Sequence, residues 1–126
     1  MKVAKFGGTS LADAGQILKV YDIVKADPDR RIIVVSAPGK RSKDDIKVTD
    51  LLIALAKAML KHGAAEKELA AVVTRYAEIG KELGVSDKLA GEIEADLRAR
   101  MALDRKHAAA YTDCLKAAGE DNCAKL

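Results

Sequence analysis

Tryptophan is absent, and one phenylalanine with three tyrosines makes up the whole aromatic set. The aromatic platforms on which single-stranded nucleic acid stacks are therefore poorly supplied. Cysteine is nearly as scarce: Cys114 and Cys123 form neither a disulfide scaffold nor a zinc pattern, and both read as free thiols. No apolar run approaches the roughly 20 residues of a membrane-spanning helix. The first residues alternate apolar and basic side chains and lack the long apolar core of a secretory signal. Neither sign of charge dominates, because 22 Lys+Arg against 19 Asp+Glu leave a net charge of +3. That balance permits anionic small molecules but is no nucleic-acid signature. What is present is a chain of 126 residues, enough for one domain, with 49% hydrophobic residues, too many for a disordered polymer. The expectation is a soluble, cytoplasmic globular protein with neither nucleic acid nor membrane among its partners.

Residues Lys2 to Phe6 carry Val3, Ala4 and Phe6 and are cut off by Gly7-Gly8, the pattern of a short strand entering a tight turn. Thr9, Ser10 and Asp13 each offer an N-cap oxygen. Ala14, Ile17, Leu18, Tyr21 and Val24 then fall on one helix face, and Asp27-Pro28-Asp29 breaks the helix. Ile32 to Val35 form a β-branched run that predicts a strand buried on both faces. Strand, helix and strand make a βαβ unit over residues 1–40 with parallel strands.

Pro38-Gly39 opens a polar loop in which Lys40, Arg41 and Lys43 are offset by Asp44 and Asp45, so the stretch reads as solvated. Thr49 or Asp50 can cap a helix over 51–61 that Gly63 closes. A second helix is expected over 65–83, with Leu69, Val72, Val73, Tyr76 and Ile79 on one face and Gly84 at its end. A third begins at Ser86 or Asp87 and passes Met101, with a break expected near Leu103-Asp104. His62 suits a helix carboxyl end, and His107 lies on a polar helical stretch, so both histidines read as structural. Tyr21, Tyr76 and Tyr111 fall on apolar faces and read as packing. Two strands with several long helices leave edges and an apolar strand uncovered. The fold class is therefore α/β, helix-rich, with an incomplete sheet whose further strands belong to a longer polypeptide. Its bare edges favour self-association as a dimer or larger.

Lys5-Phe6-Gly7-Gly8-Thr9-Ser10 is the densest chemical signal. Paired glycines let backbone N–H groups approach an anion, and the following helix directs its positive end to the same place. Thr9 and Ser10 add hydroxyls, and Lys5 adds an ammonium just before the turn. The Walker A spacing is absent. On these residues alone, a phosphate cradle and a plain turn that needs glycine are equally good readings.

The strings KFGGTS at Lys5–Ser10, VVSAPGK at Val34–Lys40 and VTDLL at Val48–Leu52 stand in a telling order and spacing. Together they resemble the amino-terminal part of aspartate kinases, in the amino-acid kinase superfamily. A weaker match, Asp113 to Glu120, resembles that family's D-x-L-x-x-x-G-E segment. The resemblance implies a partial amino-acid kinase catalytic domain over 1–126. Residues 1–40 would be its phosphate-binding βαβ unit, 49–118 a helical region, and 119–126 the start of a further helix.

It also implies transfer of the γ-phosphoryl of MgATP to the β-carboxylate of L-aspartate, the first step towards lysine, threonine and methionine. By resemblance, Lys5 is the catalytic cation, and Lys5, Gly7, Gly8, Thr9 and Ser10 hold the ATP phosphates. Ser36, Thr49 and Glu120 would contact aspartate. Mg2+ arrives with the nucleotide, and no protein metal site is expected. Plainer roles stay open: Thr49 as a helix cap, Glu120 as a surface charge, Ser36 as a strand end. Family members are several times longer and add a Gly-rich nucleotide segment and ACT regulatory domains that nothing here matches. They also carry a more polar residue where Ala117 and Ala118 stand. The chain is therefore expected to be a fragment without activity of its own. The alternative is a free-standing, non-catalytic oligomerisation or anion-binding module of the same ancestry.

Overall fold

The computed structural model describes residues 1–118, with side chains through residue 102 and at Asp113. In chain order, β1 (Lys2–Phe6) enters a single 3₁₀ turn (Gly8–Leu11), followed by α1 (Ala14–Lys25), β2 (Arg30–Val35), α2 (Val48–His62), α3 (Glu66–Glu82) and α4 (Asp87–Ala118). The two strands are parallel, Val3 lying beside Ile32 and Phe6 beside Val35, with one irregularity between Lys2 and Val3. The expected βαβ unit and helix-rich α/β class are therefore what the chain forms.

Local chemistry explains most of the boundaries. Of the three candidate caps, Asp13 starts α1: its Oδ1 accepts from the Gln16 N–H at 2.9 Å, while Thr9 and Ser10 lie within the 3₁₀ turn. Asp27 closes the return, accepting from the Asp29 N–H at 3.0 Å and from Lys2 Nζ at 2.7 Å, so the turn is tied to the start of β1. Gly63 ends α2 in the left-handed region at φ 69°, where a side chain would be strained, and its N–H reaches the Met59 carbonyl at 2.8 Å.

Three expectations need correction. The α2 helix begins at Val48 rather than after Thr49 or Asp50, and neither of those residues caps it. Val48 is completely buried, so packing draws the helix start forward. The break near Leu103-Asp104 does not occur, since α4 runs unbroken to Ala118. Residues 92–118 contain neither glycine nor proline, so nothing in them interrupts a helix. Finally, β2 is not buried: Ile32, Ile33, Val34 and Val35 are 37–59% exposed. Among the described residues β1 is its one strand neighbour and the helices pack mainly on each other, so much of the run's apolar surface stays open.

The core sits in the helical layer. Leu55, Met59, Ala65 and Leu69 form its centre, with Leu52, Val73, Leu97 and Met101 packed against them. Leu69, Val48 and Val72 are the largest fully buried side chains. Among the described residues no helix is long and apolar enough to cross a membrane. Because Leu69 is enclosed and Val34 is not, Leu69→Ala is expected to lose about 2–5 kcal/mol in urea unfolding. Val34→Thr should stay within about 0.5 kcal/mol of the parent.

Candidate functional site

The carboxyl ends of both strands open onto the same place. Ser36, just past β2, donates its N–H to the Phe6 carbonyl at 3.2 Å, beside the point where β1 enters the glycine turn. Within that turn the Ser10 N–H reaches the Gly7 carbonyl at 3.1 Å. Gly8 and Gly39 then meet backbone to backbone. The Gly39 N–H donates to the Gly8 carbonyl at 2.8 Å. A Cβ on Gly39 would lie 2.6 Å from the Gly8 carbonyl carbon and 2.9 Å from the Thr9 nitrogen. Pro38 carries the contact onward, its carbonyl accepting from the Val48 N–H at 2.9 Å, one residue before Thr49.

These contacts bring together Gly7, Gly8, Thr9 and Ser10, Ser36, and the helix start that bears Thr49. Lys5 lies on β1 beside Val34 in the register, one residue before Phe6, and is exposed like Ser36 and Thr49. This mouth beyond the strand ends is where open α/β sheets take ligands. Gly7 has open space where a Cβ would sit, whereas Gly8 is confined at 3.1 Å from the Ala37 carbonyl oxygen. Glu120 and Cys123 lie outside the described residues, as does the helix expected over 119–126. Among the described residues no group of three His, Cys, Asp or Glu side chains could hold a metal ion.

The polar loop after Gly39 is less solvated than its charges suggest. Arg41 grips Asp45 from its backbone N–H and Nε, at 2.9 and 2.8 Å to Oδ2, and from Nη2 at 3.1 Å to Oδ1. Its Nη1 reaches Glu78 on α3 at 2.8 Å. The Arg41 side-chain hydrogen bonds hold the Asp45 carboxyl well below the usual carboxylate range, helped by the Arg41 backbone N–H. Lys40 and Lys43 are exposed, as expected. A cavity of about 450 Å³ opens between this loop and α3, lined by Arg41, Asp45, Leu51, Thr74 and Arg75 among others.

Arg75 is the residue that sequence reasoning missed. It is 3% exposed, and its Nη2 donates to the carbonyls of Ala12 and Gly39, each at 2.7 Å. The signal was available: position 75 falls three after Val72 and four before Ile79, on the apolar stripe of α3. A cation on such a stripe has to be held by something. Tyr76 is half-buried, which raises its phenol pKa, and it borders an apolar groove with Leu52, Val72, Ile93 and Leu97.

A parallel βαβ unit with its glycine turn pressed against the loop after the second strand defines an α/β protein of the kind that binds ligands at its strand ends. More specifically, the amino acid kinase family is matched over residues 1–125, and the chain belongs to it. It is 49% identical over all 126 residues to Aspartokinase 3 of Bacillus subtilis, of which it spans 28%. A solved aspartate kinase of Clostridium acetobutylicum is similar at a TM-score of 0.65 and 38% identity, over 75% of this chain and 22% of that one. Aspartokinase III of E. coli, solved in complex with aspartate and ADP, is similar at a TM-score of 0.61 and 33% identity, over 85% of this chain and 22% of that one.

Two tests follow from this geometry. Gly39→Ala must push the 36–39 segment off the glycine turn and is expected to cost about 1–3 kcal/mol by thermal unfolding. Gly7→Ala, at an ordinary φ of −78° with free space beside it, should cost less than about 1 kcal/mol. For Asp45, the folded pKa lies below the unfolded one. Its contribution to stability is therefore complete above about pH 4 and is lost as pH falls through the lower, folded value. An NMR titration of its carboxyl carbon should give a midpoint below the ~3.9 of an unpaired aspartate, and Arg41→Gln should bring it back up.

Proposed function

We propose that this chain provides the phosphate turn and part of the acceptor site of an aspartate kinase. In that reaction the γ-phosphoryl of MgATP passes to the β-carboxylate of L-aspartate, giving 4-phospho-L-aspartate. The observation that carries the proposal is 49% identity to an aspartokinase across the whole chain, joined to a glycine turn that meets the acceptor-side loop at backbone distance.

The chemistry suits such a site. A carboxylate of pKa near ~4 is already ionised at neutral pH, so the nucleophile needs no general base. The protein's task is to hold two anions in line and to balance charge on the moving phosphoryl group. Lys5 supplies that charge, and Gly7, Gly8, Thr9 and Ser10 offer N–H and hydroxyl groups to the phosphates. Ser36 and Thr49 contact aspartate, and Glu120 pairs with its α-ammonium. Mg2+ comes as part of the nucleotide complex. The E. coli relative binds aspartate and ADP, which supports the same pair of ligands here.

The setting is cytoplasmic, as the first step towards lysine, threonine and methionine, with no nucleic acid or membrane partner. Self-association is proposed through the exposed β2 edge. Because 126 residues span 28% of the Bacillus relative, the chain by itself is proposed to be catalytically incomplete. A non-catalytic module of the same ancestry is the alternative, and the whole-chain identity to an aspartokinase favours the kinase.

The test is aspartate-dependent ADP formation from MgATP by the whole protein as the cell makes it, beside Lys5→Ala. Loss of one positive stabiliser should lower kcat by about 10²–10³-fold. Undiminished turnover in the variant would remove Lys5 from the role. ADP formation that ignores aspartate would remove aspartate as acceptor. The 126-residue chain alone is expected to show no turnover.

A further inference from the structure

We infer that Arg75 is a positioning residue for this phosphoryl transfer, a buried guanidinium that sets the separation between the glycine turn and the acceptor-side loop. The inference rests on the aspartate kinase reading for its chemistry and on the structure for its geometry.

Arg75 belongs to α3, whose other buried residues, Leu69, Val72 and Ile79, are part of the helical layer. It is the one charged side chain buried among the described residues. A single nitrogen, Nη2, holds carbonyls 63 and 36 residues away in sequence. Ala12 closes the 3₁₀ turn that begins at Gly8, and Gly39 is the residue pressed onto Gly8. The clamp therefore grips both sides of one contact from a third, rigid element. Hydrogen bonds from a charged donor are about twice as strong as neutral ones, and stiffer for it.

Stability is a poor explanation for this residue. Nε and Nη1 are buried and meet no hydrogen-bonding group of the described protein. The neighbouring carboxylate, Asp45, stands 3.6 Å from Nη2. Burying a cation carries a desolvation cost that two backbone hydrogen bonds and one carboxylate at this distance offset only in part, so fold stability alone does not account for a guanidinium here. What the guanidinium contributes is a fixed distance. Lys5 precedes the turn on one side of the clamp. On the other, Gly39 follows Pro38, whose carbonyl anchors Val48 ahead of Thr49. Displacing the clamp moves the groups assigned to ATP relative to those assigned to aspartate. In-line transfer tolerates little of that, since a misplacement of about 1 Å can cost 10²-fold in rate.

The experiment compares Arg75→Met and Arg75→Lys with the parent, in the whole protein as the cell makes it, by hydrogen exchange and by steady-state kinetics. In Arg75→Met, exchange should rise at least tenfold over residues 7–12 and 36–48 while residues 66–80 hold their protection. Turnover should fall about 10–100-fold with KM for MgATP and aspartate changed less than threefold. Arg75→Lys can still donate to one carbonyl and should recover part of both. If Arg75→Met does not fold, Arg75→Lys against the parent makes the same comparison. Exchange that is unchanged, or that rises equally over 66–80, overturns the inference, as does unchanged kcat per folded molecule. If the gene product shows no aspartate-dependent turnover at all, the kinase reading fails, and the exchange pattern alone decides whether Arg75 sets the turn.

Discussion

The arrangement at the carboxyl end of the sheet depends on one backbone contact, that of Gly39 against Gly8. The hydrogen bond between them is 2.8 Å long, and no room remains for a Cβ on Gly39. Through this contact a turn at one end of the βαβ unit feels the loop at the other. Through Pro38 and Val48 the same contact reaches the start of α2. Strand pairing keeps Lys5 near Ser36, but without this contact the glycine turn and the Thr49 end of α2 lose their shared anchor.

The molecule divides its labour between two layers. The helical layer of α2, α3 and α4 holds most of the buried apolar side chains and supplies rigidity. The βαβ layer carries the proposed phosphate turn and a smaller share of core, Leu11, Ala12, Ala14 and Val20, and its second strand is exposed. Arg75 joins the layers, tying a packed helix to the turn at Ala12, beside the buried Leu11. Arg41 and Asp45 add a surface latch from the loop to α3 at Glu78. Exposed pairs of this kind contribute little stability individually, so the latch shapes the loop more than it supports the fold.

How much of this could be read from the residues depends on range. The βαβ unit, the glycine turn, and the helix ends at Gly63 and Gly84 were legible because each is decided within a few residues. The burial of β2 was not, because four β-branched residues in a row say that something apolar should cover a strand and not whether it does. Val48 as the start of α2 was missed because its complete burial, a tertiary fact, outweighed the local appeal of Thr49 and Asp50 as caps. Arg75 was passed over because its partners, Ala12 and Gly39, lie far off in sequence. Even so, its place on the stripe between Val72 and Ile79 was a local clue that something polar waited there. For the site, the motif strings pointed to the turn and to the loop after β2, and folding explained why position 39 needs glycine and position 8 is tight.

The central claim is that the turn after β1 holds nucleotide phosphates. The most direct measurement is the amide NMR spectrum of the 15N-glycine-labelled protein titrated with MgATP. Gly63 and Gly84, which end α2 and follow α3, serve as internal references. If the turn holds phosphates, the Gly7 and Gly8 amides shift and saturate while Gly63 and Gly84 stay still. Shifts spread evenly over all four glycines, or none at Gly7 and Gly8 at millimolar MgATP, would contradict it.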